Sequence, residues 1–274
     1  MIIDTNVYLS QWPFRHLDGD DLTDLVTKLR KRNVLQAWAG SFDGLLHRDI
    51  ASVNIRLVQA CRAYGQGLLV PFGSINPKLP DWQEDVRRCQ EEHKMPGIRL
   101  HPNYHGYNLD DPAFAELLKL ATAHRLIAQL VLCMEDVRTQ PPLMRVPSAG
   151  ITPLADVVRS TPGLRLELVN CTSNISKEQY RSALSAGDVY AEISMVEGVA
   201  GVSRFVQEIP LPRVLFGSYY PFFYLESSLL KVQESGLDEA SRKALCEDNA
   251  RRLLGPAVSE NVERANEKTE NSQA

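Results

Sequence analysis

Short apolar segments rich in β-branched residues alternate along the chain with longer segments in which apolar residues recur at helical spacing. The first pattern predicts buried strands, and the second predicts amphipathic helices. The predicted strands cover residues 1–8, 34–39, 67–74, 97–101, 126–133, 164–170, 188–194 and 213–217. The predicted helices cover residues 20–32, 50–64, 80–94, 111–124, 151–160, 176–186, 200–208, 223–235 and 238–254.

Eight strands that are each followed by a helix are typical of a closed parallel (β/α)8 barrel, the TIM barrel. A doubly wound open sheet stays possible, because the sequence does not show the order of the strands. The first strand-to-helix turn lacks a G-x-G-x-x-G motif, which disfavours the nucleotide-binding version of that sheet. We therefore predict a single α/β barrel domain over residues 1–256. Residues 257–274 are polar without an apolar stripe, which predicts a loose tail.

The composition is that of an ordinary globular protein, with 44% hydrophobic and 23% charged residues. A net charge of -4 gives no reason to expect a nucleic acid or an anionic membrane as a partner. The apolar run 126–133 is far shorter than the roughly 20 residues of a membrane span, and the start of the chain does not resemble a secretory signal. Five scattered cysteines without a C-x-x-C pair indicate reduced thiols in a cytoplasmic protein.

Polar side chains gather where the predicted strands end. Functional side chains of a (β/α)8 barrel project from the carboxyl ends of its strands, and strand residues two apart share a face. Residues that lie near the carboxyl end of a predicted strand and share one of its faces, or that directly follow a strand, are candidates for the site. They are Asp4, Asn6, Tyr8, Arg99, His101, Asn170, Glu192, Ser194 and Tyr219. We therefore predict one polar site at the mouth of the barrel.

Four motifs occur in an order that matches a known family. They read IIDTNVYLSQWP, GIRLHPNYHGYNLDDPAFAELL, VLFGSYYPF and EDNARRLLG. Together they resemble the amidohydrolase-2 family, which includes aminocarboxymuconate-semialdehyde decarboxylase and related lactonases. The likeness covers about residues 1–255 and implies an amidohydrolase-like (β/α)8 barrel.

The positions that carry the family's metal chemistry differ in this chain. The first-strand H-x-H motif of the family supplies two metal ligands, and here Asn6 and Tyr8 stand at those positions. The strand-5 histidine falls on or beside Val131, the strand-6 histidine aligns with Asn170, and the aspartate of G-[ST]-D-Y-P is Tyr219. Zinc and manganese prefer imidazole, carboxylate or thiolate ligands. The resemblance with these replacements predicts no metal, no other cofactor and no metallohydrolase activity.

The retained residues suggest what the site still does. His101 and Arg99 keep their motif, and Glu192 stands where the family often has an acidic residue. Arg99 would clamp an anion, and His101 is the residue whose ordinary pKa suits acid-base chemistry near neutral pH. Two alternatives stay open: His101 as a hydrogen-bond donor that lines the pocket, and Arg99 paired with Glu192 or Asp4, because a buried charge needs a partner.

Three functions follow from these residues. The first is a barrel with a degenerate metal site that binds a small carboxylate or hydroxylated metabolite. The second is a metal-independent hydrolase, lactonase or decarboxylase that uses His101 with Arg99 and Glu192. The third is a regulatory or structural partner of an intact paralogue, motivated by the aromatic run at residues 219–224. The expected partner is an anionic small molecule, and a homo-oligomer stays open.

Two further features favour a structural interpretation. His101 and His105 are four residues apart, but Pro102 and Gly106 predict a loop, which disfavours a metal site built from the two histidines. Cys133 and Cys171 lie near strand ends. Without an evident histidine partner, they are predicted to be buried thiols and not nucleophiles.

Overall fold

The computed structural model describes residues 1–136, 138–171 and 175–255 of the chain. The predicted tail, 257–274, lies outside the described residues. The strands are Ile2–Leu9 (β1), Val34–Ser41 (β2), Leu69–Ser74 (β3), Gly97–Leu100 (β4), Ile127–Val131 (β5), Arg165–Val169 (β6), Asp188–Glu192 (β7) and Val214–Leu215 (β8). All eight predicted strands are therefore present, although β8 is only two residues long.

Each strand pairs in parallel with the next strand of the chain, so the sheet order is β1 to β8. Backbone hydrogen bonds connect the first strand to the segment that continues β8. The N–H of Thr5 donates to Phe216 O at 2.9 Å, and the N–H of Tyr8 donates to Tyr220 O at 2.9 Å. These bonds join the two edges of the sheet, and the predicted (β/α)8 barrel is confirmed.

Apart from the short helix α4, the helices occupy the segments predicted from the apolar periodicity, with ends that differ by a few residues. They are Leu22–Lys31 (α1), Ile50–Ala60 (α2), Trp82–Glu91 (α3), Pro102–His105 (α4), Pro112–Ala123 (α5), Leu154–Arg159 (α6), Lys177–Ala186 (α7), Gly201–Glu208 (α8), Leu225–Gln233 (α9), Glu239–Lys243 (α10) and Asn249–Leu254 (α11). A π-helical turn, Ala244–Asp248, joins α10 to α11, so the predicted helix 238–254 is one continuous helical run.

Helix α4 corrects the loop predicted after β4. Pro102 occupies the first helical turn, where its missing N–H costs no hydrogen bond, and Gly106 ends the turn in the left-handed region with φ 68°. The turn directs His105 towards the segment after β2, where its Nε2 lies 2.8 Å from Gly44 O. His105 is therefore held by the backbone of a neighbouring loop.

Apolar side chains fill both ends of the barrel interior. At the amino end, residues of six strands pack with the last helix: Ile3, Trp38, Val70, Phe72, Ile127, Tyr190, Leu215, Ala250, Leu253 and Leu254. At the carboxyl end a second cluster, called here the mouth cluster, contains Tyr8, Trp12, Phe42, Leu45, Val131, Met134, Val169, Met195 and Tyr219. Polar side chains lie between and beside these two clusters, and the predicted site is built from them.

Candidate functional site

Asp4 fixes the backbone where the first strand meets the end of the last strand. The pairing of β1 with β2 changes register between Asp4 and Val7. The Asp4 carboxylate accepts the N–H of Asn6 at 3.1 Å and the N–H of Ser218 at 2.9 Å. Burial raises the pKa of Asp4 to about 7, while these hydrogen bonds oppose the shift. Asp4 therefore holds the backbone where β1 meets the end of β8. These contacts give no support to its expected role of binding substrate.

Four of the predicted site residues form one hydrogen-bonded group, called here the amide-carboxylate network. Asn6 Nδ2 donates to Asn170 Oδ1 at 2.7 Å. Glu192 Oε1 accepts the N–H of Asn170 at 2.7 Å and the hydroxyl of Ser194 at 2.8 Å. Burial raises the pKa of Glu192, and these donors stabilise its charged form. The structure thus brings together residues that are up to 188 positions apart in the chain.

Tyr8 and His101 form a buried pair. The Tyr8 hydroxyl lies 2.9 Å from His101 Nε2, and the Tyr8 ring stacks on Phe42 at 4.7 Å between ring centroids. Burial, helped by the nearby His105 and Arg99, holds the pKa of His101 well below 6.5. His101 is therefore neutral near pH 7, and within the described part of the chain its Nδ1 has no hydrogen-bond partner.

Arg99 is held by the barrel itself. Its guanidinium donates to three backbone oxygens at 2.8 to 3.2 Å, those of Val7, Thr5 and Trp38. Its centre also lies 4.5 Å from the centroid of the Tyr8 ring, a cation–π geometry. These contacts point the charge at carbonyl groups, and they support neither the anion clamp nor the pairing with Glu192 or Asp4. The site role expected of Arg99 stays a prediction, and the structure adds these carbonyl groups as its partners.

Gln129 and Glu167 complete the surroundings of Arg99, and the sequence analysis did not single them out. Arg99 Nε donates to Gln129 Oε1 at 2.7 Å, and Gln129 Nε2 donates to Glu167 Oε2 at 2.7 Å. Burial raises the pKa of Glu167 to about 8. A signal for both residues exists in the sequence, since each is a polar residue at the centre of a five-residue strand, IAQLV or RLELV, with apolar residues directly before and after it.

Tyr219 closes the mouth of the barrel. Its hydroxyl donates to Met134 O at 2.6 Å, its N–H donates to Asn6 O at 2.8 Å, and its ring stacks on Phe222 at 4.8 Å. Its backbone is left-handed, with φ 60°, a conformation that costs a residue with a side chain about 1–2 kcal/mol. The sulfur of Met134 lies 3.7 Å from the Tyr8 hydroxyl and 3.6 Å from the Tyr219 hydroxyl.

The nine predicted site residues are all buried, and the positions aligned with the family's metal-site residues converge at the mouth. Asn6 bonds to Asn170, while Tyr8, Val131 and Tyr219 belong to the mouth cluster. Among the described residues, no group of three or more His, Cys, Asp or Glu side chains is arranged to hold a metal ion. Two amides, two phenols and a valine do not fit a zinc or manganese site.

The segment after β5 covers the mouth from one side, and the sequence analysis did not predict its role. Glu135 pairs with Arg15 of the segment after β1, with 3.2 Å between Oε2 and Nη1. Gln140 Nε2 donates to Glu135 O at 3.2 Å and to Val146 O at 2.9 Å. Loop contacts of this kind follow no hydrophobic period, which is why the pattern of the sequence could not reveal them.

A cleft of about 620 Å³ lies beside the mouth, at the carboxyl ends of β5, β6 and β7. We call it the side cleft. Its lining residues are Cys133, Glu135, Asp136, Arg138, Ser148, Cys171, Ile175, Lys177, Tyr180, Met195, Val196, Glu197, Phe205, Glu208 and Phe223. Of these, Cys133 and Cys171, both buried and free of disulfides, were singled out from the sequence. Phe223 belongs to the aromatic run at residues 219–224. Burial raises the pKa of both thiols, in agreement with unreactive cysteines.

Comparisons with known proteins agree with this architecture. The Amidohydro_2 (amidohydrolase) family model matches residues 17–255. The apo IDCase of Metarhizium anisopliae is 15% identical, with a TM-score of 0.70 over 92% of this chain and 96% of that chain. The 2,6-dihydroxybenzoate decarboxylase from Rhizobium is 13% identical, with a TM-score of 0.69 over 92% and 98%.

A third solved structure is the 5-carboxyvanillate decarboxylase from Novosphingobium aromaticivorans, complexed with manganese and 4-hydroxy-3-methoxy-5-nitrobenzoic acid. It is 14% identical, with a TM-score of 0.70 over 93% of this chain and 96% of that chain. At these identities the structural likeness shows the fold alone. A search of curated proteins finds no match to the chain. No helix within the described ranges has the length and hydropathy that crossing a membrane requires.

Proposed function

The chain belongs to the amidohydrolase family, and from this premise we propose that it is a metal-independent member that binds a small carboxylate or hydroxylated metabolite. In this proposal it does not act as a metallohydrolase. The Asn6–Asn170 hydrogen bond carries the proposal, because it joins two positions that the family resemblance assigns to imidazoles. Amide groups that bond to each other do not provide the donor set that a divalent transition metal needs.

The aromatic residues support the same proposal. The Tyr8 hydroxyl contacts His101 and the Tyr219 hydroxyl contacts Met134 O, so both phenols at former metal-site positions have partners within the protein. Burial raises the pKa of Tyr8 to about 12 and that of Tyr219 well above 10. Both phenols are therefore protonated at neutral pH, a form that is a poor metal ligand and a poor general base.

The ligand class comes from the structural neighbours. Two of them are decarboxylases of hydroxylated aromatic acids by name, and one of these holds manganese together with a nitrobenzoic acid. We propose that this chain binds a ligand of similar size and polarity, without manganese. The position of the five cysteines, scattered and free of disulfides among the described residues, also leads us to propose a reducing, cytoplasmic environment.

A metal-independent decarboxylase or lactonase is the second candidate, and it depends on His101. Its lowered pKa leaves the imidazole neutral at pH 7, which is the form that acts as a general base, but the same shift makes it a weaker base. Substrate would have to displace the Tyr8 hydroxyl from Nε2 and part the mouth cluster. A screen of lactones, amides and hydroxybenzoates with wild type and His101→Ala separates the candidates, because turnover that disappears in the variant would establish the enzyme.

Metal analysis tests the main proposal. We expect the protein, expressed in medium with added zinc and manganese, to retain well under about 0.1 equivalent of either metal per chain. The matched variant carries Asn6→His, Tyr8→His, Val131→His and Tyr219→Asp, which restores imidazole and carboxylate donors at the mouth. It should retain more metal than wild type. About one equivalent of transition metal in the wild type, lost on substitution of Asn6 or Asn170, would refute the proposal.

A further inference from the structure

The side cleft has the dimensions of a small-molecule site. Its volume of about 620 Å³ lies within the usual range for ligand pockets. It does not lie on the barrel axis, because its walls include helices α7 and α8 through Tyr180 and Phe205. The wall towards the mouth is formed by Met195, a member of the mouth cluster, and by Phe223, which packs against that cluster. The cleft is therefore separate from the closed site around His101.

Two buried side-chain oxygens of the cleft, those of Glu135 and Tyr180, make no well-formed hydrogen bond among the described residues. Glu135 is 3% exposed, and its Oε2 contacts Arg15. Its Oε1 makes no well-formed hydrogen bond among the described residues, although the Thr139 side chain lies near the carboxylate. Tyr180 is 7% exposed, and within the described ranges its hydroxyl has the weakly polar thiol of Cys171 as a neighbour but no well-formed hydrogen bond. A buried polar atom without a partner costs free energy, so both atoms favour a molecule that supplies a hydrogen-bond donor to Glu135 and an acceptor or donor to Tyr180.

The charges that line the cleft favour the same type of molecule. Its two basic residues are already paired with acidic lining residues, Arg138 with Asp136 and Lys177 with Glu208. Glu135 and Glu197 add negative charge. Arg15, which pairs with Glu135, and Lys231, which interacts with Glu197, lie outside the lining. Arg138 also interacts with Glu197, so the lining itself holds four carboxylates and two cations. An excess of carboxylates repels a carboxylate ligand and attracts a cation. The apolar wall of Met195, Phe205 and Phe223 suits an aromatic ring.

We infer that the side cleft binds a small hydroxylated aromatic molecule with a hydrogen-bond donor, an ammonium or a hydroxyl group, directed at Glu135. This inference rests on the proposed function and specifies it. It selects the hydroxylated ligand over the carboxylate, and it locates the ligand beside the barrel axis. The site uses residues of the β5, β6 and β7 loops, none of which belongs to the predicted site at the mouth.

Three probes of nearly equal shape test the charge preference: tyramine, 4-ethylphenol and 3-(4-hydroxyphenyl)propionate. Their binding to the full-length protein is measured by calorimetry and by ligand-observed NMR. Tyramine should bind with a Kd of about 1 mM or tighter, and the propionate at least about tenfold more weakly, because like charges meet at Glu135. Tightest binding by the propionate, or no binding by any of the three, would overturn the ligand class.

Variants test the location. Glu135→Gln should weaken tyramine at least about tenfold and Tyr180→Phe about threefold to tenfold, since each removes one polar contact. Ile175→Trp should fill the half-buried edge of the cleft and abolish binding, which keeps the test valid if Glu135→Gln does not fold. Tyr64→Phe and Glu234→Gln make the same changes on exposed residues and should bind as wild type. If all three cleft variants bind tyramine as the wild type does, the ligand does not bind in the side cleft and the proposed location is wrong.

The outcomes also separate this inference from the proposed function. A metal-free protein that binds tyramine elsewhere contradicts the side cleft only. A protein with a stoichiometric barrel metal contradicts the proposed function, whether or not the cleft binds tyramine.

Discussion

Substitution of Arg99 by methionine tests whether this residue holds the barrel together or waits for an anion. Methionine has a similar length but no donor, so the variant loses the bond to Gln129 and the three bonds to backbone oxygens. It also loses the cation under the Tyr8 ring. The oxygens stay buried, because the strands that carry them are enclosed on both sides.

The expected loss of stability follows from these contacts. A hydrogen bond to a charged group contributes about 1.5–3 kcal/mol, and a buried acceptor left without a partner costs about 1–3 kcal/mol. The effects overlap and do not add fully, and methionine recovers part of the packing. Because four hydrogen bonds to one buried charged group are removed together, we expect Arg99→Met to lose at least about 3 kcal/mol.

Urea unfolding monitored by far-UV circular dichroism measures this change. Arg62→Met is the matched control, because Arg62 is exposed on the helical segment after α2 and should change stability by less than about 0.5 kcal/mol. A loss under about 1 kcal/mol for Arg99→Met would refute the structural role. Unchanged stability together with a loss of affinity for carboxylate ligands would instead restore the clamp that the sequence suggested.

Three further predictions concern the interior. Because the folded-state pKa of Glu167 is raised from 4.5 to about 8, the folded protein binds the extra proton, and its stability should fall by a few kcal/mol as pH rises from about 4.5 through about 8. Glu167→Gln should flatten this pH dependence of the urea midpoint, and an unchanged slope would contradict the assignment. Tyr8→Phe should destabilise the protein by about 1–3 kcal/mol in the same assay by leaving His101 Nε2 unpaired, and a neutral effect would mean that the Tyr8–His101 bond is not formed. Gly217→Ala should cost about 1–3 kcal/mol, because a Cβ there would lie 2.3 Å from Glu192 Oε2. Gly150→Ala, whose Cβ would meet nothing within 4 Å, is its control, and equal thermal stability of the two variants would contradict the close approach.

The periodicity of the sequence was sufficient to predict the barrel and the residues that converge in it. Alternation along Gly97–Leu100 places Arg99 inside, and the same alternation beyond the strand reaches His101. The motif resemblance assigns Asn6 and Asn170 to metal-ligand positions, which predicts that they are neighbours, and the 2.7 Å contact between their side chains agrees with that expectation. These residues were predictable because strand geometry fixes the direction of each side chain.

The partners of those residues could not be predicted in the same way. The strand predicts the direction of the Arg99 side chain but not its partner. Whether that partner is a ligand, a carboxylate or a set of carbonyl groups depends on where the ends of other strands lie. The register shift between Asp4 and Val7 has no signature in composition. Met134, Glu135 and Gln140 belong to a long loop, where conformation depends on tertiary contacts that have no period.

The seam between the first strand and the end of the last has a consequence for how the molecule forms. Thr5 and Phe216, which meet there, are 211 residues apart in the chain. During synthesis the outer edge of β1 has no strand to pair with until the chain has been made as far as β8, and helix α11, which packs with Ile3 and Leu215, comes later still. Such distant contacts slow folding and leave an unpaired strand edge exposed to other chains in the meantime. Nascent chains that stop before residue 214 should therefore be the species that depends most on chaperones.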